Sequence, residues 1–204
     1  MSDPGQAGQA QDLSALIGSR ICHDLISPLG AIGNGLELLQ MSGASEGPEM
    51  ALIAESVESA NARIRFFRIA YGDAQVNQMI KGAELRGALH GSYQGGRLVI
   101  DWQPEDMLRS DAKKAFLTLQ CLETAMPYGG TIRVTGQPGA LVYTGTAQRF
   151  AFDEMLWNGL AGTAPLDHLR PAQVQFALLR ELGQVTGRPI RVVRTDETTL
   201  SVQT

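Results

Sequence analysis

The chain has little of what several common classes of protein depend on. Its only two cysteines, Cys22 and Cys121, lie far apart in the 204 residues, which excludes a disulfide framework and a zinc-binding spacing. The net charge of −4 lacks the basic excess of nucleic-acid binders. No run approaches the roughly 18 apolar residues of a membrane span, and the polar start lacks a signal peptide's features. Free thiols fit a reducing compartment, so we expect a cytoplasmic protein. From the charge and the lack of a long apolar run, we expect neither nucleic-acid nor membrane partners.

Two long amphipathic helices are predicted in the first part of the chain. Apolar residues recur at helical spacing over 11–42 and again over 49–71, with a glycine-rich turn between them. Two helices cannot enclose their own apolar face, and the simplest cover is a second copy of the chain. We therefore predict a disordered tail at 1–9 and a helical hairpin at 10–75 that forms a four-helix bundle in a homodimer. The stripe expected to be buried on the second helix consists of Leu52, Ile53, Val57, Ala60, Ile64, Phe67 and Ala70 or Tyr71.

From residue 76 to residue 204, short helical patterns alternate with β-rich runs. Helices are predicted over 84–94, 111–126 (capped by Ser110 or Asp111) and 171–187. Strands are predicted over 97–102, 131–136, 140–145, 189–194 and 198–203, while 150–159 fits either state. This order predicts an α+β fold for the second half, with helices on one face of a mixed sheet.

The segment around His23 carries the chemistry. His23 lies on the first predicted helix, Asp24 follows directly, and Pro28 stands five positions later. A neutral imidazole is a competent nucleophile near neutral pH when a carboxylate stabilises the proton on its second nitrogen. Asp24 is the candidate for that role, although adjacent helical side chains diverge and it would need a favourable rotamer. Ser27 and Arg20 lie about one turn away, where they could hydrogen-bond the imidazole and offset the charge of an anionic group.

This pattern, Arg20-x-x-His23-Asp24-x-x-x-Pro28, resembles the phosphoacceptor box of sensor histidine kinases. The longer segment 20–39 is similar to ChpT-type histidine phosphotransferases of alphaproteobacteria, in which a dimerising hairpin precedes a degenerate kinase ATPase-like domain. The resemblance is strongest over 11–75 and continues in the same order to residue 204. It implies that His23 accepts a phosphoryl group from the receiver domain of a hybrid histidine kinase and passes it to a response regulator. It implies no cofactor on this chain, since Mg²⁺ would lie on the partner receiver.

A sensor kinase would require ATP-binding residues that the second half lacks. The helix that should carry the Mg²⁺-holding asparagine, 113–127, contains none, and no acid lies near 144–147, where an Asp-x-Gly box should stand. Segment 167–171 lacks the glycines that let backbone N–H groups approach phosphates. We therefore expect neither ATP binding nor autokinase activity.

A surface that receives the partner is predicted around His23 and on the second helix. The residues assigned to it are Ser19, Pro28, Gly30, Asn34, Asn61, Arg65, Phe66 and Arg68. A basic rim would steer the acidic pocket of a receiver, although these arginines fit an ordinary solvated face equally well. Two other functions stay open at this point: a sensor kinase or phosphatase fragment, and a non-catalytic dimeric scaffold that binds receivers. His90 and His168 are expected to be ordinary surface or loop histidines.

Overall fold

The structure, a computed structural model, describes residues 12–42, 47–74 and 77–204. Its first two helices are α1, Leu13–Ser42, and α2, Pro48–Ala70, which pack against each other as the sequence predicts. The predicted disordered tail and most of the predicted turn between the helices lie outside the described residues.

Local chemistry explains where the two helices begin. The Asp12 side chain accepts a hydrogen bond from the backbone N–H of Ser14 at 2.9 Å, which satisfies one of the free donors at the start of α1. Pro48 opens α2, where its missing N–H is not needed. Pro28 lies inside α1 and is buried, and the helix continues on both sides of it.

The second half contains four α-helices, one 3₁₀ turn and seven strands among the described residues. In chain order they are β1 Met79–Ile80, α3 Gly82–Tyr93, β2 Leu98–Trp102, β3 Met107–Leu108, α4 Arg109–Ala125, β4 Gly130–Gln137, β5 Ala140–Thr146, α5 Glu154–Leu160, the 3₁₀ turn Pro171–Gln173, α6 Val174–Val185, β6 Arg191–Arg194 and β7 Thr199–Gln203. The main sheet has the order β2-β4-β5-β7-β6, in which only β2 and β4 run parallel. The predicted α+β class with a mixed sheet is confirmed.

The structure corrects one local prediction and resolves one segment that the sequence left ambiguous. Helix α4 starts at Arg109 and its N-cap residue is Leu108, whose side chain makes no capping bond, so neither Ser110 nor Asp111 is the cap. The ambiguous segment 150–159 ends in helix α5, which Asp153 caps by accepting from two backbone N–H groups. That cap is a signal the sequence contained, because Asp is among the preferred N-cap residues.

The core of the second half extends into the base of the hairpin. Helix α4 is buried on most of its surface and contacts β5, α6 and α2. At the end of α2, the ring of Phe66 lies 4.7 Å from that of Phe116 on α4 and 6.0 Å from that of Tyr93 on α3. Aromatic rings at these distances attract each other beyond the gain from burial alone. The hairpin and the second half are therefore held together by a continuous apolar core.

The predicted buried stripe of α2 divides into two parts. Phe67 and Ala70, near the second half, are buried. Leu52, Val57 and Ile64 stay 40%, 40% and 45% exposed in the single chain. Within the described residues, no helix combines the length and apolar character needed to cross a membrane.

Candidate functional site

His23 projects from the middle of α1, with 84% of its side chain exposed. Ser19 and Ser27, one turn before and after it, are exposed as well, and so is Gly30. A Cβ atom built on Gly30 would meet nothing within 4 Å, so the surface beside the imidazole is low and open. A protein surface can therefore approach the imidazole closely.

Asp24 reaches His23 despite being its neighbour in the chain. The His23 Nδ1 and Asp24 Oδ1 atoms are 3.1 Å apart, which is hydrogen-bond distance. The other carboxylate oxygen, Oδ2, accepts from Arg20 Nε at 2.8 Å and lies 4.0 Å from Arg63 Nη1. The Asp24 side chain is only 11% exposed, so these cations hold it against the protein and fix the rotamer. In the tautomer that carries its proton on Nδ1, His23 donates to Asp24 and Nε2 keeps its lone pair for a reaction partner.

Arg20 links this pair to the rest of the molecule. Its side chain is 16% exposed, and Nη1 donates to the backbone carbonyl of Ala172 at 3.2 Å, in the 3₁₀ turn of the second half. Burial works against its charge, but the Asp24 carboxylate prevails and the pKa of Arg20 is raised. Arg20 is therefore a fixed cation beneath the histidine, in contact with the hairpin and the second half at once.

Behind Asp24 lies a polar cluster that the sequence analysis missed. Tyr93 on α3 donates its hydroxyl to Glu123 Oε2 on α4 at 3.2 Å, and Tyr71 donates to Gln120 Oε1 at 2.9 Å. Burial raises the pKa of Glu123, while the charges of Arg20 and Arg63 and the Tyr93 hydroxyl oppose that rise. Burial also raises the pKa of Tyr71 to about 12.

A small cavity joins the two sets of charges. It measures about 20 Å³, the space of roughly one water molecule. Its polar lining comes from α1, α2, α3 and α4: Arg20, Asp24, Arg63, Ser92, Tyr93, Gln120 and Glu123. Nothing in the sequence near Glu123 indicated that it would line this cavity, because the charged residues that it faces there belong to other helices.

The predicted docking residues do not all lie on the surface. Six of them are exposed: Ser19, Gly30, Asn34, Asn61, Arg65 and Arg68. Phe66 is 4% exposed and packs in the core described above, so it cannot contact a partner, and the prediction for it was wrong. Pro28 is buried too, and its prediction as a contact residue is corrected for the same reason. Helical periodicity placed both on a helix but could not say which neighbour covers them.

In the second half, side chains of α4, α5 and α6 make intramolecular contacts that hold these helices in place. On α4, Gln120 is bonded to Tyr71, and Thr124 Oγ1 accepts from Gln175 Nε2 at 2.9 Å. The Trp157 ring stacks on Phe152 and meets Phe176 edge-on, which packs α5 against α6. In the part of the chain that the structure describes, no group of three or more His, Cys, Asp or Glu side chains is arranged to hold a metal ion.

The chain is similar to known phosphotransferases in sequence and in structure. The family model for the histidine phosphotransferase C-terminal domain matches residues 82–198, more than half of the chain. The chain belongs to the histidine phosphotransferase family. It is 40% identical over 128 residues to the protein phosphotransferase ChpT of Brucella abortus, and the match spans 61% of each chain. It thus covers less than two thirds of that relative's length.

A solved structure extends the likeness over nearly the whole chain. This structure of a bacterial phosphotransferase superposes with a TM-score of 0.77 at 30% sequence identity, and the match covers 98% of both chains. The hairpin, which lies outside the residues matched by the family model, is included in that coverage. The similarity to a ChpT-type histidine phosphotransferase expected from the segment around His23 is therefore confirmed.

Proposed function

We propose that the chain is a homodimeric histidine phosphotransferase that carries a phosphoryl group on His23 between the aspartates of two receiver domains. The observation that carries the proposal is the exposed imidazole whose Nδ1 is hydrogen-bonded to Asp24, itself held by Arg20. Such an arrangement leaves one nitrogen nucleophilic and fixes the proton on the other. Family membership and the ChpT relative support the same function.

The transfer step follows from this geometry. The Nε2 lone pair of His23 attacks the phosphorus of an aspartyl phosphate on the donor receiver, and the P–O bond to that aspartate breaks as the N–P bond forms. The receiver carboxylate leaves with the electron pair. The phosphorylated ring carries positive charge, which the Asp24 carboxylate stabilises at Nδ1–H. Onward transfer reverses the step, because the aspartate of the second receiver attacks phosphorus and neutral His23 leaves.

The partner receiver domain supplies the phosphorylated aspartate and the Mg²⁺ for the transfer. A receiver domain holds the transferring group with its own aspartate and Mg²⁺, so catalysis depends mostly on how the two proteins are positioned. Exposed cations of the hairpin suit an acidic receiver pocket: Arg63, 4.0 Å from Asp24, is 41% exposed, and Arg65 and Arg68 are exposed elsewhere on α2. The low surface formed by Ser19, Ser27 and Gly30 would let the receiver reach Nε2.

Homodimerisation is supported by the apolar side chains that the single chain leaves uncovered on the hairpin. On α1, Ile26, Leu29 and Leu36 are 67%, 57% and 46% exposed, and α2 adds Val57 and Ile64. Exposed apolar patches of this kind mark interaction surfaces. A second hairpin covers them symmetrically and completes a four-helix bundle.

We also infer that the protein does not phosphorylate itself from ATP. The lack of asparagine in segment 113–127, where a kinase should carry its Mg²⁺-holding amide, supports this inference. So does the absence of an acid in the segment 144–147. A phosphoryl group must then arrive from another protein.

A transfer assay tests the function directly. The purified chain is mixed with a receiver domain carrying labelled aspartyl phosphate and Mg²⁺, and label is followed on both proteins. Label should move to the parent chain and on to a second receiver, whereas His23→Gln should take up none. His90→Gln, which changes another exposed histidine, is the matched control and should behave like the parent.

The same assay separates the alternative functions. If His23→Gln drains phosphate from the receiver as fast as the parent, the chain is a phosphatase or scaffold and transfer through His23 is wrong. Incubation with labelled ATP and Mg²⁺ but no kinase should leave the parent unlabelled. Labelling at His23 under those conditions would identify an autokinase.

A further inference from the structure

Residues of the second half line a cavity together with Asp24, the acid that is hydrogen-bonded to His23. Arg20 and Asp24 come from α1, Arg63 from α2, Tyr93 from α3 and Glu123 from α4, and all five line one cavity of about 20 Å³. Of these, only Tyr93 and Glu123 belong to the second half. Charges enclosed in a poorly solvated site influence each other strongly, so a change at Glu123 is felt at Asp24.

The cluster contains two guanidinium groups and two carboxyl groups. Asp24 accepts from Arg20 at 2.8 Å and lies 4.0 Å from Arg63. Glu123 faces the same two arginines across the cavity and is held in place by the hydroxyl of Tyr93 at 3.2 Å. When both acids are ionised, the positive and negative charges balance, and Asp24 is not the sole counter-ion of two cations.

We propose that Glu123 is a positioning residue for His23, which acts through Arg20 and Arg63 to keep Asp24 available to the imidazole. This inference rests on the proposed function of His23. By sharing the charge of the arginines, Glu123 leaves Asp24 Oδ1 free to accept from Nδ1. Without it, Arg20 draws both oxygens of Asp24 into a bidentate pair, the preferred geometry of arginine with a carboxylate. The Nδ1 proton then loses its acceptor.

The contact between the second half and the residues around His23 is a part of the fold that the transfer step alone does not require. A hairpin with His23, Asp24 and Arg20 contains the reacting groups, yet the chain places Glu123 and Tyr93 against them from a second half with no proposed nucleotide chemistry. The contact of Arg20 Nη1 with the carbonyl of Ala172 at 3.2 Å is a second link across the same boundary. The second half would therefore influence which nitrogen of His23 carries the proton.

The test uses the full-length protein and reads the imidazole itself. The tautomers of neutral His23 are measured from ¹⁵N chemical shifts in Glu123→Gln, Glu123→Asp and the parent. Glutamine keeps the shape of glutamate and can still accept from Tyr93, but it carries no charge. We expect the ratio of Nδ1–H to Nε2–H tautomer to fall roughly threefold or more in Glu123→Gln, because one screened charge is lost. The ratio in Glu123→Asp should lie between those of Glu123→Gln and the parent.

A functional readout accompanies the spectra. Glu123→Gln should lower the rate constant of phosphoryl transfer roughly tenfold, equivalent to about 1.4 kcal/mol in the barrier, while the receiver dissociation constant stays unchanged. The matched control is Glu105→Gln, which removes an exposed carboxylate (79% exposed side chain) paired with Arg86 in the second half. It should alter neither the tautomer ratio nor the rate constant.

The order of the variants decides between charge and packing. A purely structural role predicts that the shape-preserving Glu123→Gln matches the parent and that the shorter Glu123→Asp is worse, and this result overturns the proposal. If Glu123→Gln proves unfolded in a melting experiment, Glu123→Asp decides alone, because it keeps the charge and loses only length: a tautomer ratio that falls roughly threefold or more there overturns the proposal. If the parent accepts no phosphoryl group, the proposed function fails, but the tautomer comparison still decides the role of Glu123.

Discussion

The two ends of the helical hairpin carry the same kind of apolar stripe but meet different surroundings. At the end near the second half, Phe66, Phe67 and Ile69 are buried, at most 6% exposed. Farther from it, Leu36 is 46% exposed and Val57 is 40% exposed. The docked end belongs to the core of the chain, and the free end leaves its apolar side chains uncovered. An amphipathic pattern therefore identifies a face to be buried but does not identify what covers it.

The largest effect is expected at the docked end. Phe66→Ala removes a ring packed against Phe67, Tyr93 and Phe116, and should lower the free energy of unfolding by about 3–5 kcal/mol. Denaturant unfolding monitored by circular dichroism measures it. The loss should be the same at low and high protein concentration, because the contact lies within one chain. A loss below about 1 kcal/mol would mean that Phe66 is not part of the core.

At the free end, the expected effect is on association. Leu36→Glu combined with Val57→Glu puts charges on the exposed stripe, and should raise the dimer dissociation constant roughly 100-fold or more. Sedimentation over a range of concentrations measures this, and the secondary structure of the isolated chain should persist. If the double variant sediments like the parent, the dimer interface lies elsewhere or the protein is not a dimer.

The smallest effect is a pH dependence at the boundary between the two ends. The pKa of Glu123 is raised from its ordinary value of 4.5, so the folded state binds this proton more tightly than the unfolded state. Ionisation is therefore disfavoured by folding, and the carboxyl group subtracts stability as pH rises above 4.5. Glutamine cannot ionise, so the melting temperature of Glu123→Gln relative to the parent should rise between about pH 4 and pH 7.

The control for this pH series is again Glu105→Gln. The same melting experiments are run on that variant, whose glutamate is exposed. A relative melting temperature of Glu123→Gln that falls with pH would show that the arginines, rather than burial, dominate the environment of Glu123.

The architecture was accessible from the sequence to a large extent. Helical spacing located α1 and α2, and turn residues with β-rich runs located the hairpin of β4 and β5 and the final strands β6 and β7. These features depend on neighbours close in the chain, which is why periodicity detects them. The start of α4 was misplaced because polar residues at 110 and 111 suggested a cap that the structure does not use.

The candidate site was accessible only in part. His23 and Asp24 form a local motif, and the sequence predicted that Asp24 would reach the imidazole only in a favourable rotamer. The structure places the two side chains 3.1 Å apart. The rotamer itself depends on Arg20 and Arg63, and the second of these comes from the other helix of the hairpin. Glu123 could not be found, since its partners lie on three other helices, α1, α2 and α3.

The order of residues alone determined the amphipathic hairpin, the exposed histidine with its adjacent acid, and the α+β class of the second half, because each depends on short-range spacing. Only the tertiary structure decided that Phe66 and Pro28 point inward rather than toward a partner, that one end of the hairpin is covered and the other is not, and that Glu123 faces the arginines beneath His23. The physical reason is the same in each case. Burial and the electrostatic environment of a side chain depend on what packs against it, and those neighbours are distant in the chain.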